Sequence, residues 1–237
     1  MKISLLAQDT ETSSPSRSST AVPNFNHLAR PYRWLEYLTF GPFLWRCRIH
    51  YLRELANCRN ALVLGDGDGR FTARLLRANP HIKITAIDAS PRMIEALHRA
   101  AAPHQGRLTT RIADLRSWKP LNPGQFNLIV THFFLDCLTT AEVAQLASRV
   151  APSVAPNALW LVSEFATPCT FFGRTIASPL VASLYFAFRF LTGLNLWSLP
   201  DHSRALASAG WSMKAGHSHL GGLLISQIWQ PRHHDQP

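Results

Sequence analysis

Three glycines at alternate positions, Gly65-Asp66-Gly67-Asp68-Gly69, follow the short apolar run Ala61-Leu62-Val63-Leu64. Glycine lets a chain turn sharply and lets a ligand approach the backbone. A helix starting directly after such a turn offers free N–H groups and a positive dipole end, which suit a carboxylate or a phosphate. A second apolar run ends in Asp88-Ala89. A carboxylate there, about twenty residues past the loop, can accept both hydroxyls of a ribose. Ser90 is the better placed cap for the following helix, so Asp88 is expected to stay free for a ligand. A third run ends in Ile112-Ala113-Asp114-Leu115, where Asp114 could accept from an exocyclic amine such as that of adenine, or cap a loop. A fourth leads into Thr131-His132-Phe133-Phe134-Leu135-Asp136. His132 is the first candidate for a general base, because imidazole titrates near neutrality. Asp136 and Glu164 are weaker candidates that would equally serve as helix caps or ion-pair partners.

The elements that position these residues read as an alternating series. Strands are expected at 61–64, 82–87, 108–113, 126–130 and 158–165. Helices are expected at 71–76, from Pro91 after the Ser90 cap, at 140–150 with Thr140 as cap, and at 201–209. Wholly apolar strands alternating with helices imply a parallel sheet buried on both faces, with right-handed crossovers. Open parallel sheets bind ligands at the carboxyl ends of their strands, where the glycine loop, Asp88 and Asp114 all fall. Trp211–His217 and Leu223–Trp229 read as a hairpin around Gly221-Gly222, giving an antiparallel strand at one edge. Residues 1–24, rich in Ser, Thr and Pro, read as a disordered leader. Residues 25–58 read as a helical cap of two helices broken near Gly41-Pro42, and 231–237 as a tail. Phe171–Leu191 reads as an apolar helix carrying several aromatic residues.

The 237 residues are 46% apolar, enough for a substantial core, and only 16% charged, against roughly 25% in average chains. The net charge of +10 comes almost wholly from arginine, lysine standing only at positions 2, 83, 119 and 214. No basic run of five or more marks a nucleic-acid arm, so a nucleic-acid partner is disfavoured. The four cysteines, Cys47, Cys58, Cys137 and Cys169, form no C-x-x-C pair, so no metal site is expected and reduced cytosolic thiols fit best. No signal peptide is read at the start, and no charge-free run of 18 apolar residues marks a membrane span. A cytoplasmic protein is expected, with peripheral membrane contact as a variant.

The loop discriminates between nucleoside cofactors. Gly65 and Gly67 match the first two glycines of G-x-G-x-x-G, but Arg70 holds the third position, which argues against NAD and favours G-x-G-x-G. That spacing, with Asp88 and Asp114, resembles the S-adenosylmethionine site of class I methyltransferases. The resemblance extends over about Tyr32 to Trp229. Within that superfamily the chain looks most like the small-molecule branch related to ubiquinone/menaquinone biosynthesis enzymes. The features are Ala29-Arg30-Pro31-Tyr32-Arg33-Trp34, Phe40-Gly41 and Thr131 to Asp136.

The resemblance implies an α/β, Rossmann-like doubly wound fold, with a mostly parallel seven-stranded sheet and an antiparallel edge hairpin, over residues 59–230. It implies that Gly65, Gly67 and Gly69 line the methionine part of S-adenosylmethionine, Asp88 with Ala89 the ribose, and Asp114 the adenine, flanked by Ala113 and Leu115. Thr131 and His132 would border the methyl group, and Tyr32 and Asp136 the acceptor. Val63 stands where the family often has an acidic residue, leaving Asp66 or Asp68 to meet the methionine ammonium. Tyr32-Arg33 stands where it has Tyr-Asp. The expected function is methyl transfer to a small, apolar acceptor. An RNA or protein methyltransferase, or a non-catalytic S-adenosylmethionine-binding protein, are the alternatives.

Overall fold

A computed structural model describes residues 42–120, 123–166 and 199–232. The seven strands are β1 (Asn60–Leu64), β2 (Lys83–Asp88), β3 (Leu108–Ile112), β4 (Phe126–His132), β5 (Val154–Phe165), β6 (Trp211–His219) and β7 (Leu224–Pro231). They form one sheet in the order β3-β2-β1-β4-β5-β7-β6. The first five run parallel, and β7 lies antiparallel to both β5 and β6. This is the Rossmann-like arrangement expected, with one refinement. The antiparallel strand is the inner member of the hairpin, and the edge strand β6 again points the same way as β1 to β5.

Side-chain alternation on the parallel strands builds the core. Ala61 and Val63 face one side, with Ile84, Leu128 and Val130. There they meet Phe71, Leu75 and Leu76 of α2 (Arg70–Ala78) and Leu97 of α3 (Pro91–Ala100). Leu62 and Leu64 face the other side, with Ile87, Ile129, Trp160 and Val162. Their partners are Val143, Leu146 and Val150 of α4 (Thr140–Val150), and Leu206 of α5 (His202–Ser208). Two buried faces explain why β1 reads as an uninterrupted apolar run. Each such side chain taken fully out of water contributes about 1.5–3 kcal/mol.

Several element limits differ from the sequence expectation for identifiable reasons. β4 continues through Thr131 and His132, whose polar types hide the strand although both are buried. β5 starts at Val154, four residues before the apolar run, and pairs with Phe126 across an irregularity in register. Pro156 and Asn157, exposed on that segment, read as a break. The cap of α4 is Thr139, not Thr140. Thr139 Oγ1 accepts from Glu142 N, and Glu142 Oε2 accepts from Thr139 N, a reciprocal capping box. Ser90 caps α3 as expected, accepting from Met93 N.

Of the expected helical cap, the described part is α1 (Phe43–Ile49) and a 3-10 turn at Leu52–Leu55. The preceding helix, the leader, Tyr32, the aromatic helix 171–191 and the tail from 233 lie outside the described residues. Among the described residues, no helix is long and apolar enough to cross a membrane.

Candidate cofactor and active site

Strand register brings the chemistry-bearing loops level with one another. Leu64 pairs with Ile87 on one side and with Thr131 on the other. Gly65, Asp88 and His132 therefore leave the sheet side by side, and Asp88 pairs with Ile112, just before Ala113. Gly65 N donates to Ile87 O, and Ala113 N donates to Asp88 O, which ties the three loops together.

All three loop glycines have positive φ: 67° at Gly65, 61° at Gly67 and 75° at Gly69. Two of them are also sterically confined. A Cβ on Gly65 would sit 2.5 Å from Phe134 Cδ2, and one on Gly69 2.5 Å from Leu97 Cα. Gly69 is thus needed for α2 to pack against α3. At Gly67 a Cβ would meet nothing within 4 Å. The middle of the loop faces open space, as a cradle for a ligand would.

The acidic residues around the loop differ in their commitments. Asp66 Oδ2 accepts from Thr72 N in the first turn of α2, and burial pushes its carboxyl up to about 6. Asp68 is held by Arg70, with Nε 2.8 Å from Oδ2. Asp88 Oδ1 accepts from Ser90 N at 2.8 Å. The backbone of Gly67 and Ala89 also favours the ionised form, but burial outweighs it and pushes the carboxyl up to about 6. It is therefore not free in the sense expected from the sequence. It caps the turn after β2 with some of its acceptor capacity and keeps the rest.

Asp114 pairs with Arg116 at 3.1 Å and accepts from Arg116 N at 3.0 Å. Burial opposes its ionisation, but the Arg116 hydrogen bonds and charge outweigh burial and hold its carboxyl below the usual range. Its lone pairs serve as a loop cap here. Leu115 is buried between the sheet and α4, and its carbonyl accepts from Arg149 Nη2. Thr131 Oγ1 accepts from Trp160 Nε1 at 3.0 Å inside the core.

His132 lies on the opposite face of β4, 4% exposed, with its ring edge-on to Phe71 at 4.3 Å. Neither ring nitrogen has a hydrogen-bond partner among the described residues. Burial, and then the Arg48 charge, push its pKa well below the ordinary histidine value, so the ring is neutral at pH 7.

Two features of the site escape the sequence reading, the Phe133 turn and the Arg48 contact, while the weaker candidate Glu164 takes a bracing role. Phe133 has φ of 51°, a conformation costly for a bulky residue. The turn is held by Glu164, whose Oε1 accepts from Phe134 N and Leu135 N. Burial, reinforced by the nearby Asp136, raises the Glu164 pKa well above the usual range. Asp136 itself is pushed up to about 6 by burial. Arg48 of α1 lies over the Phe133 ring at 5.2 Å. An arginine in an amphipathic helix carries no sequence signal for such a role.

The comparisons with known proteins agree with this geometry. Residues 61–157, from β1 into β5, match the family model described as methyltransferase domain. Malonyl-[acyl-carrier protein] O-methyltransferase of Paenibacillus sp. (strain JDR-2) is 30% identical over 156 residues. The match covers 64% of this chain and 54% of that protein. The mitomycin 7-O-methyltransferase MmcR superposes with a TM-score of 0.63 at 14% identity, over 88% of this chain and 60% of that one. The chain shares the fold of that enzyme. The N-methyltransferase NodS of Bradyrhizobium japonicum WM9, solved with S-adenosyl-L-homocysteine, superposes with a TM-score of 0.58 at 15% identity, over 79% and 87%. The chain spans about half the length of the Paenibacillus relative.

A methyltransferase domain such as the one matched over 61–157 would take S-adenosylmethionine, and the residues present fit it. That cofactor would bring an ammonium, a sulfonium and a carboxylate, and the site offers two carboxyls, Asp66 and Asp88, whose ionisation burial penalises. A cation relieves that penalty, whereas a pyrophosphate would add to it.

Proposed function

We propose that this protein transfers the methyl group of S-adenosylmethionine to a small, apolar acceptor. The observation that carries the reading is the open cradle at Gly67, flanked by the enclosed carboxyls of Asp66 and Asp88. In this reading the backbone from Gly65 to Gly69 lines the methionine moiety, with Asp66, more than the Arg70-bound Asp68, facing its ammonium. Asp88, beside Ala89, accepts the ribose hydroxyls with the lone pairs its backbone donors leave unused. Ala113 and Leu115 flank the adenine, and Asp114 accepts from its amine once Arg116 shifts. Thr131 sets the strand end from within the core, and His132 borders the transferred group.

The bound cofactor supplies an activated methyl on a sulfonium. The chain's task is chiefly alignment, which alone can be worth about 7–11 kcal/mol. His132 is neutral and its nitrogens are uncommitted, so it can take a proton from an acceptor oxygen or nitrogen. Its lowered basicity suits a proton that leaves as the new bond forms. Asp136, close to Glu164, and Tyr32 would meet the acceptor. The apolar cluster of Leu44, Phe133 and Leu223, with Phe165 packed on it, supports an apolar acceptor. The names of two relatives describe O-methyl transfer, to malonyl-[acyl-carrier protein] and to mitomycin.

Calorimetry with S-adenosylmethionine and, separately, NAD tests the cofactor. Binding of the former, weakened at least about tenfold by Asp88→Ala, is expected. Binding of NAD alone would sink the reading. Release of S-adenosylhomocysteine over a panel of apolar hydroxylated and amino acceptors then tests transfer.

A further inference from the structure

The edge strand β6 ends in His217-Ser218-His219, and residues two apart on a strand share a face. His50, directly after α1, stacks on His217 with ring centroids 4.1 Å apart and planes 14° from parallel. His219 stands edge-on to both, at 4.6 Å from His217 and 5.2 Å from His50. One nitrogen from each ring lies within 4.8 Å of the others. Three imidazoles from two distant parts of the chain thus converge on one point. Among the described residues no carboxylate joins them, and the methyltransferase reading leaves them unused.

We propose that His50, His217 and His219 form a binding site for a divalent transition-metal ion, zinc by preference, that staples α1 to the edge of the sheet. Three neutral imidazoles are a zinc donor set, with a fourth position left to water. Zinc–nitrogen bonds of about 2.0–2.1 Å put tetrahedral ligand atoms about 3.3 Å apart. His50 and His217 are exposed, so modest side-chain rotation closes the remaining gap.

The inner ligand is already oriented. Ser226 Oγ donates to Cys47 O at 2.6 Å, so its oxygen is left to accept from His219 Nε2, 3.3 Å away. That fixes the proton on Nε2 and leaves the Nδ1 lone pair for the metal, the outer-sphere arrangement usual for ligating histidines. The consequence is local to the site. Because β6 runs parallel to β5, the cluster lies at the same edge of the sheet as the glycine loop. A metal there would fix α1, which carries Arg48 over Phe133.

Titration of the full chain with Co2+, followed by displacement with Zn2+, tests the site. A visible absorption band saturating at one equivalent with micromolar affinity is expected. So is a rise in thermal midpoint on the order of 5 °C with saturating zinc. His50→Ala or His217→Ala should weaken binding at least about tenfold, the cost of a lost ligand bond, while His217→Cys, which keeps a ligand, retains it. Changing His233 and His234 to glutamine should leave binding intact. No band at micromolar Co2+, binding unchanged in His217→Ala, or binding lost only with the tail histidines would overturn the proposal.

Discussion

The carboxylate of Asp88, at the end of β2, accepts from Ser90 N at 2.8 Å, in the turn that leads into α3. One side chain thereby caps that turn and holds acceptor capacity beside Gly67, whose backbone favours its ionised form against burial. Asp88→Asn keeps an oxygen for the turn and removes the charge. Because burial disfavours that charge, the free protein should lose less than about 1 kcal/mol, or gain slightly. Affinity for S-adenosylmethionine should nevertheless fall about tenfold or more. Thermal unfolding and calorimetry on the same variant separate the two effects. A variant that unfolds early and binds normally would contradict the assignment.

Asp66 and Asp88 both have carboxyls raised to about 6 by burial. A raised folded-state pKa gives stability that is full below the unfolded value of about 4 and lost as pH rises through about 6. The free protein should therefore lose these contributions between pH 4 and 6. A cationic ligand reverses the preference, since it favours the ionised carboxyls. Affinity for S-adenosylmethionine should rise as pH climbs through 6, and binding there should release protons. Calorimetry at pH 6 in buffers of different ionisation enthalpy counts them. Proton uptake, or none, would remove these two carboxyls from the site.

The three glycines make separable demands. Gly69→Ala drives a methyl against Leu97 Cα, which is backbone, and adds positive-φ strain. It should cost about 3 kcal/mol or more. Gly65→Ala meets the Phe134 ring, which can rotate, and should cost less. Gly67→Ala meets no protein atom, so only the backbone penalty of about 1–2 kcal/mol remains. Yet it should weaken cofactor binding most per unit of stability lost. Equal losses of stability across the series, measured by denaturant unfolding, would mean that the loop is purely structural.

How much was legible depended on whether a residue's role was local. The mostly parallel sheet follows from alternating apolar runs and helices, while its strand order is seen only in the fold, and Ser90-Pro91 marks its helix start without ambiguity. The glycine loop is legible because only glycine adopts its backbone cheaply. The commitments of Asp114 to Arg116 and of Thr131 to Trp160 are not. Both residue types suit ligand contacts equally well, and only the fold decides which partner is near. The same holds for His50, which meets His217 and His219 only because α1 docks on the hairpin. Spacing rules for metal sites look for neighbours in sequence, and they find His217 and His219 but not His50, which joins them only after folding.

Glu164, near the carboxyl end of β5, supports the strained turn at Phe133. Its Oε1 satisfies two amides, while its Oε2 has no partner among the described residues. Burial and Asp136 raise its pKa well above the usual range, which favours the protonated form. Glu164→Gln should then change stability at pH 7 by less than about 1 kcal/mol, since an amide oxygen can replace the acid's acceptor. Glu164→Ala leaves both amides unsatisfied in a buried turn and should cost about 2–4 kcal/mol. Denaturant unfolding of the two variants decides. A large loss in the glutamine variant would mean that Glu164 is ionised, with a cation near Oε2, and would move it from a brace for the turn to a charged member of the site.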